Sequence, residues 1–125
     1  MAGFPRERRV RRGAEIRAIL AEGRSFDGSC LRLHAKADPA SVEPARAAVV
    51  VPRHGHTAVE RNRLKRRLRE IVRLHVLGAP ELTGAAVVVR TRPGAYLRTF
   101  AELRSELLDL LGRVGRRAGS GGSRP

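Results

Sequence analysis

The sequence predicts an α+β domain in which helices pack against a small mixed sheet, and three features carry that prediction. Ala47-Ala-Val-Val-Val51 and Ala85-Ala-Val-Val-Val89 are unbroken apolar runs of strand length, the pattern of strands buried on both faces. Thr57 with Glu60, and Thr99 with Glu102, have the T-x-x-E spacing of a capping box. Each box opens a segment of helical periodicity. The 125 residues, 42% of them hydrophobic, suit one domain with a single modest core. Residues 1–12 form a basic arm, 13–114 the folded domain, and 115–125 a Gly/Ser/Arg-rich tail expected to be disordered.

Taken in order, Ala14 to Ala21 can form a short helix with Ile16, Ile19 and Leu20 on one side, and Gly23 is placed to end it. Leu31, Leu33 and Ala35 alternate with Cys30, Arg32 and His34, which predicts a strand with one apolar face and one polar, basic face. Residues 38–46 turn the chain into the central strand at Ala47. Pro52 to His56 lead into a helix that begins near Ala58. At about 100° per residue, Leu64, Leu68, Ile71, Val72 and His75 share one sector, and Asn62, Arg66, Arg69 and Arg73 lie opposite. Lys65 and Arg63 flank the polar side. Arg61 and Arg67 border the apolar stripe, so their guanidinium groups must reach around it. Gly78-Ala-Pro80 breaks the chain, the second apolar run follows, and Arg92-Pro93-Gly94 turns it again. Phe100, Leu103, Leu107, Leu110, Leu111 and Val114 give the last helix an apolar face to cover the sheet.

The formal net charge of +14 is segregated. Residues 1–12 hold five arginines against one glutamate, residues 61–73 hold seven Lys or Arg against one glutamate, and four arginines follow from residue 113. The remaining ten basic and ten acidic side chains cancel. A neutral scaffold therefore carries three cationic patches. An Arg-rich composition explains why only Lys36 and Lys65 are lysines, but not why the charge clusters. Charge concentrated on one helix face is the electrostatic footprint of a nucleic-acid partner.

Other classes fit poorly. The acids are scattered, with Asp27, Asp38 and Asp109 far apart and no D-x-D or D-x-E spacing, whereas a protein-based metal nuclease needs convergent carboxylates. His54-Gly-His56 is the nearest approach to a ligand pair, and two histidines in a loop are more often solvated than metallated. No catalytic residue and no metal ligand is assigned. Cys30 is the single cysteine, which excludes an internal disulfide and suits a reducing compartment. There is no apolar run of membrane-spanning length and no signal-peptide core at the N-terminus, so a cytoplasmic location without membrane contact is expected. A DNA regulator is disfavoured, because the basic helix follows a buried strand rather than a helix–turn–helix and no dimerisation seam is present.

Arg61-Asn62-Arg63-Leu64-Lys65-Arg66, preceded by Ala58-Val59 and a buried strand and followed by Leu68-Arg69-Glu70, resembles the signature helix of the bacterial ribonuclease P protein component. The likeness extends to Arg9-Val-Arg-Arg12, Glu15-Ile16 and Gly23-Arg24-Ser25, and to Arg92-Pro93 and Ala101-Glu102-Leu103-Arg104 near the end. It implies a ribosomal protein S5 domain 2-like fold with a left-handed strand–helix–strand crossover at the basic helix, against the general right-handed rule. It further implies a subunit, monomeric when free, that binds ribonuclease P RNA and precursor tRNA and promotes endonucleolytic removal of the 5′ leader, with magnesium held mainly by the RNA.

On this resemblance the RNA-binding residues are Arg9, Arg11, Arg12, Arg53, Arg61, Asn62, Arg63, Lys65, Arg66, Arg69 and Arg73. The leader cleft, formed by the first helix and one sheet face, has Ile16, Leu20, Phe26, Arg32 and His34 as candidates. The family usually carries aromatic residues where this chain has Ile16 and Leu20, so base stacking is not offered there, and core packing explains those two side chains equally well. The loop before the motif helix is one residue longer than the common form. A non-enzymatic RNA-binding protein, ribosomal or chaperone, is the alternative, because a fold alone does not fix function.

Overall fold

In a computed structural model, residues 8–10, 13–38, 40–53 and 55–120 are described, the last six of these by backbone alone. The element order is α1 (Gly13–Glu22), β1 (Arg24–Asp27), β2 (Leu31–Ala37), β3 (Arg46–Val50), α2 (Ala58–His75), β4 (Ala85–Thr91) and α3 (Phe100–Ser120). Short 3-10 helices occupy Pro80–Leu82 and Pro93–Leu97. The four strands form one sheet in the order β1-β2-β4-β3. β1 pairs antiparallel with β2 and β2 with β4, whereas β3 and β4 are parallel, so α2 is the crossover between them. The expected mixed sheet is present.

The period of two along each strand sorts the sheet into two faces. Leu31, Leu33, Ala47, Val49, Val87 and Val89 meet Leu64, Leu68, Ile71 and Val72 of α2 and Leu103, Leu107 and Leu110 of α3 in the main core. On the other face Val88 packs with Ile19 and Val10, ringed by half-buried Ile16, Leu20, Ala48, Val50 and Ala86. The result is three layers, with α1 on one side of the sheet and α2 and α3 on the other. The predicted sector of α2 is the buried one. His75 lies at the α2–α3 seam, where it accepts a hydrogen bond from Arg104 Nε at 3.2 Å.

Three elements depart from the sequence expectation. β3, expected as a central strand, lies at the edge of the sheet, and β4 takes the interior position between it and β2. Arg24–Asp27 forms an edge strand that the sequence does not announce, because its only large apolar residue is Phe26. The antiparallel register with β2 supplies what periodicity lacks. α3 runs to Ser120 rather than ending near Val114. Arg116, Arg117 and Ala118 are good helix formers, and propagation costs less than initiation once a helix exists. Residues 121–125, with most of the basic arm, lie outside the described residues.

Gly84 has φ +83°, and a Cβ there would come within 2.6 Å of the Asp38 carbonyl oxygen. The backbone at this point closes the turn into β4 through Gly84 N–H to Glu43 O at 2.8 Å and Asp38 N–H to Gly84 O at 3.0 Å. Gly84→Ala is expected to destabilise the fold by about 1–3 kcal/mol through strain at a left-handed position plus the clash. Chemical denaturation measures it, and an unchanged midpoint contradicts the account.

Candidate nucleic-acid interface

α2 is built as a two-faced element from its first turn. Thr57 caps it, with Glu60 N–H donating to Thr57 Oγ1 at 3.2 Å and Thr57 N–H donating to Glu60 Oε1 at 2.9 Å. Four apolar residues then fix the rotation of the helix on the sheet, and this turns Asn62, Arg63, Arg66 and Arg69 out to solvent. Arg61, Lys65, Arg67 and Arg73 are half-buried at the margins, as the helical angles require. Arg61 donates from Nε to the Val51 carbonyl oxygen at 2.7 Å, which ties the N-terminal end of α2 to the end of β3.

The pairing of these cations separates the two sides of the molecule. On the α1 side, Arg32 pairs with Asp27, Lys36 with Glu22 at 2.6 Å, and Arg46 with Glu15. The basic sheet face is therefore largely neutralised from within. On α2, Arg73 with Glu70 at 2.6 Å is the only ion pair made by its Lys or Arg residues among the described residues. Burial lowers the Lys65 pKa, and Arg69 and Arg61 lower it further. Burial likewise lowers Arg69, with a contribution from Arg9. Such crowding is relieved by an anion.

Arg9 reaches this cluster because the N-terminal segment runs beside β3. Arg9 bridges Ala47 in parallel, and Val10 N–H donates to Ala47 O at 2.8 Å. Arg8 anchors the same segment through its guanidinium to the Ala45 carbonyl at 2.9 Å and to the Leu77 carbonyl. The sequence places Arg9 in a basic arm without indicating that this arm docks against α2. Arg53 is exposed in the turn before α2. Arg11 and Arg12 lie outside the described residues.

The leader-cleft candidates do not all meet. Ile16 and Leu20 of α1 lie over the sheet face that carries Arg32 and His34. Phe26 pairs with Leu33 and packs against the main core on the opposite face, so it cannot join them. His34 is 7% exposed, and neither ring nitrogen has a hydrogen-bond partner among the described residues. Burial lowers its pKa, Arg32 and Arg90 add to the shift, and Asp27 opposes it. His34 therefore sits as a neutral ring beneath the cleft surface rather than on it. Arg90, opposite Arg32 in the register, is exposed on this face. Strand alternation alone would have found it, since it shares the phase of Val88 rather than of Val89.

Among the described residues, no group of three or more His, Cys, Asp or Glu is placed to hold a metal ion, and no helix is long and apolar enough to cross a membrane. Burial pushes the Cys30 thiol up to about 11, and hydrogen bonding to Glu106 adds to the shift, so it is not a nucleophile at neutral pH.

The model of one protein family, Ribonuclease P, matches residues 4–115. The ribonuclease P protein component of Acidothermus cellulolyticus is 37% identical over 113 residues, covering 89% of this chain and 91% of the relative. That of Nocardioides sp. is 40% identical over 108 residues, covering 86% and 91%. Among solved structures, the RNase P protein from Thermotoga maritima aligns with a TM-score of 0.70 and 29% identity over 84% of this chain and 96% of that one. The Staphylococcus aureus RNase P protein, at 20% identity, shares the fold with a TM-score of 0.74 over 86% and 94%.

Proposed function

The chain belongs to the ribonuclease P protein component family, and from that premise we propose that α2 is the face it lays on ribonuclease P RNA while the α1 side of the sheet receives the 5′ leader of precursor tRNA. The protein is a subunit of an endoribonuclease, and the catalytic centre belongs to the RNA. The observation that carries the division of labour is the contrast in ion pairing. Among the described residues, the cations on α2 other than Arg73 lack carboxylate partners and are available to phosphates, with Arg forks suited to bidentate contacts. Arg32, Lys36 and Arg46 on the other face are already paired, so the cleft offers apolar contact from Ile16 and Leu20 with exposed Arg90 at its margin.

Arg9, Arg53, Arg61, Asn62, Arg63, Lys65, Arg66, Arg69 and Arg73 form the RNA-binding set in this reading, joined by Arg11 and Arg12 of the arm. Magnesium is held by the RNA, in keeping with the scattered carboxylates. The free protein is a monomer, since net charge of +14 opposes self-association. A cytoplasmic location accompanies this role, because the lone thiol suits a reducing compartment. The ribosomal or chaperone alternative has no support from the named relatives.

Reconstitution tests the function. Protein, ribonuclease P RNA and 5′-labelled precursor tRNA at low magnesium are expected to give cleavage at the mature 5′ end that neither component gives alone. Tight RNA binding without stimulation would restore the alternative. The cleft has its own test in Ile16→Asp, which is expected to lower discrimination between precursor and mature tRNA about 5- to 20-fold while sparing RNA-subunit affinity, a carboxylate being set against leader phosphates. Unchanged discrimination in a folded variant removes the leader from this face.

A further inference from the structure

The β3 and β4 strands are parallel, so both chains leave the sheet at the same edge, β3 into Pro52 to Thr57 and β4 into the 3-10 helix Pro93–Leu97. At this edge the His56 and Tyr96 rings lie face to face, with centroids 3.7 Å apart and planes 6° from parallel. Tyr96 is half-buried, packs against the main core, and donates its hydroxyl to the Pro52 carbonyl at 2.9 Å. His56 is held by its own backbone N–H to Arg53 O at 2.8 Å and by Nδ1 against Glu60 Oε1 at 3.3 Å. Tyr96 covers one face of the imidazole and Glu60 one edge, yet the His56 side chain remains 31% exposed. The stack on Tyr96 and the contact with Glu60 fix the plane of the ring.

We infer that His56, backed by Tyr96, is a stacking platform for one unpaired nucleobase of bound RNA, a role that rests on the RNA-binding reading above and adds a base contact to a surface otherwise read as phosphate-binding. Three features favour a base over any other flat ligand. Exposed Arg53 closes the same turn and can hold the adjoining phosphate. The motif helix begins immediately after His56, so RNA lying on α2 passes this edge. The leader face has no aromatic ring to offer at Ile16 or Leu20, and Phe26 is turned into the opposite face. Aromatic rings pile face to face without regard to base identity, so the contact selects single-stranded RNA rather than a sequence. The energy of such a stack corresponds to roughly 5- to 150-fold in affinity.

The test uses single-stranded RNA hexamers carrying 2-aminopurine, and hexamers of equal charge with the central base removed. The full-length protein is expected to quench 2-aminopurine and to bind the base-bearing hexamer more tightly than the abasic one. In His56→Ala the quench and that preference disappear while abasic binding and its salt dependence persist. His56→Phe, which keeps a flat ring, and Tyr96→Phe, which gives up only the hydroxyl, retain both. Equal binding of the two hexamers by the unmodified protein, or loss of preference in His56→Phe, overturns the platform. Failure to bind either hexamer strikes the RNA-binding reading itself. Two constants measured for His56→Ala in the reconstituted enzyme separate the sources of the base. Weaker protein binding to ribonuclease P RNA assigns the base to that RNA, weaker holoenzyme binding to precursor tRNA assigns it to the substrate, and no change in either overturns the proposal.

Discussion

Arg66→Ala combined with Arg69→Ala is expected to weaken binding to ribonuclease P RNA about 25- to 60-fold at 0.1 M salt and to flatten its salt dependence. Both side chains are exposed on the face of α2 that the buried leucines turn outward, and neither makes an ion pair among the described residues. Each phosphate left without its arginine lowers the slope of log K against log salt by about 0.7–0.9, so the pair should remove about 1.4–1.8. The fold should be unaffected. Arg66 is exposed on the outer face of the helix, and Arg69 sits in a crowd with Lys65 and Arg9 whose mutual repulsion its removal relieves. A slight gain in thermal stability together with weaker RNA affinity is therefore the signature of a surface prepared for an anion. Unchanged slope in the double variant would move the main phosphate contacts off α2.

The contrast between α2 and β1 explains what the amino-acid order alone reveals. α2 declares itself locally: Thr57 and Glu60 mark its start, and the 3.6-residue period of Leu64, Leu68, Ile71 and Val72 assigns both faces at once. β4 is similarly explicit, a short and nearly uniformly apolar run that does lie inside the sheet, whereas the equally apolar run of β3 announces a central strand and forms an edge one, with Arg46, Ala48 and Val50 only half-buried. β1 has no such signal. Arg24–Asp27 becomes a strand because β2 offers it an edge, and only that register puts Phe26 on the core face. His34 shows a second limit. Alternation places it on the face opposite Leu33, but whether a polar strand face is wet depends on what covers it, and α1 covers this one. Arg9 shows the third, because its proximity to Arg69 depends on a parallel bridge to Ala47, which no local pattern encodes. The candidate interface is thus legible where one helix carries it, and obscure where separate segments assemble it.

Glu106→Ala should be among the most destabilising single changes in the chain, about 3 kcal/mol, which in a domain of this size lowers Tm by on the order of 10–20 °C. Its carboxylate, projecting from α3, accepts from Leu31 N–H at 2.7 Å and Cys30 N–H at 2.9 Å through Oε2, and from Ser29 Oγ at 2.7 Å through Oε1. It thereby pins the β1–β2 hairpin turn to the last helix. A Cβ on Gly28 would come within 2.2 Å of Glu106 Oε2, which is why the turn can close over it. Alanine leaves two backbone N–H groups without a partner in a half-buried setting, and their desolvation is then uncompensated. Burial pushes the Glu106 carboxyl up, but the hydrogen bonds from Ser29, Cys30 and Leu31 together outweigh it and hold its pKa below the ordinary 4.5. A depressed carboxylate stabilises the fold fully above its unfolded pKa, and that stabilisation is lost as pH falls through the folded value. Denaturation midpoints should therefore drop as pH falls below about 4.5 in the parent protein and change less in Glu106→Gln, which cannot titrate. Parallel pH profiles for the two would show that the carboxylate is held by shape rather than by charge. The salt slope for RNA binding should be the same in both, since Glu106 lies beneath the hairpin turn and the cations proposed to bind phosphate lie on α2.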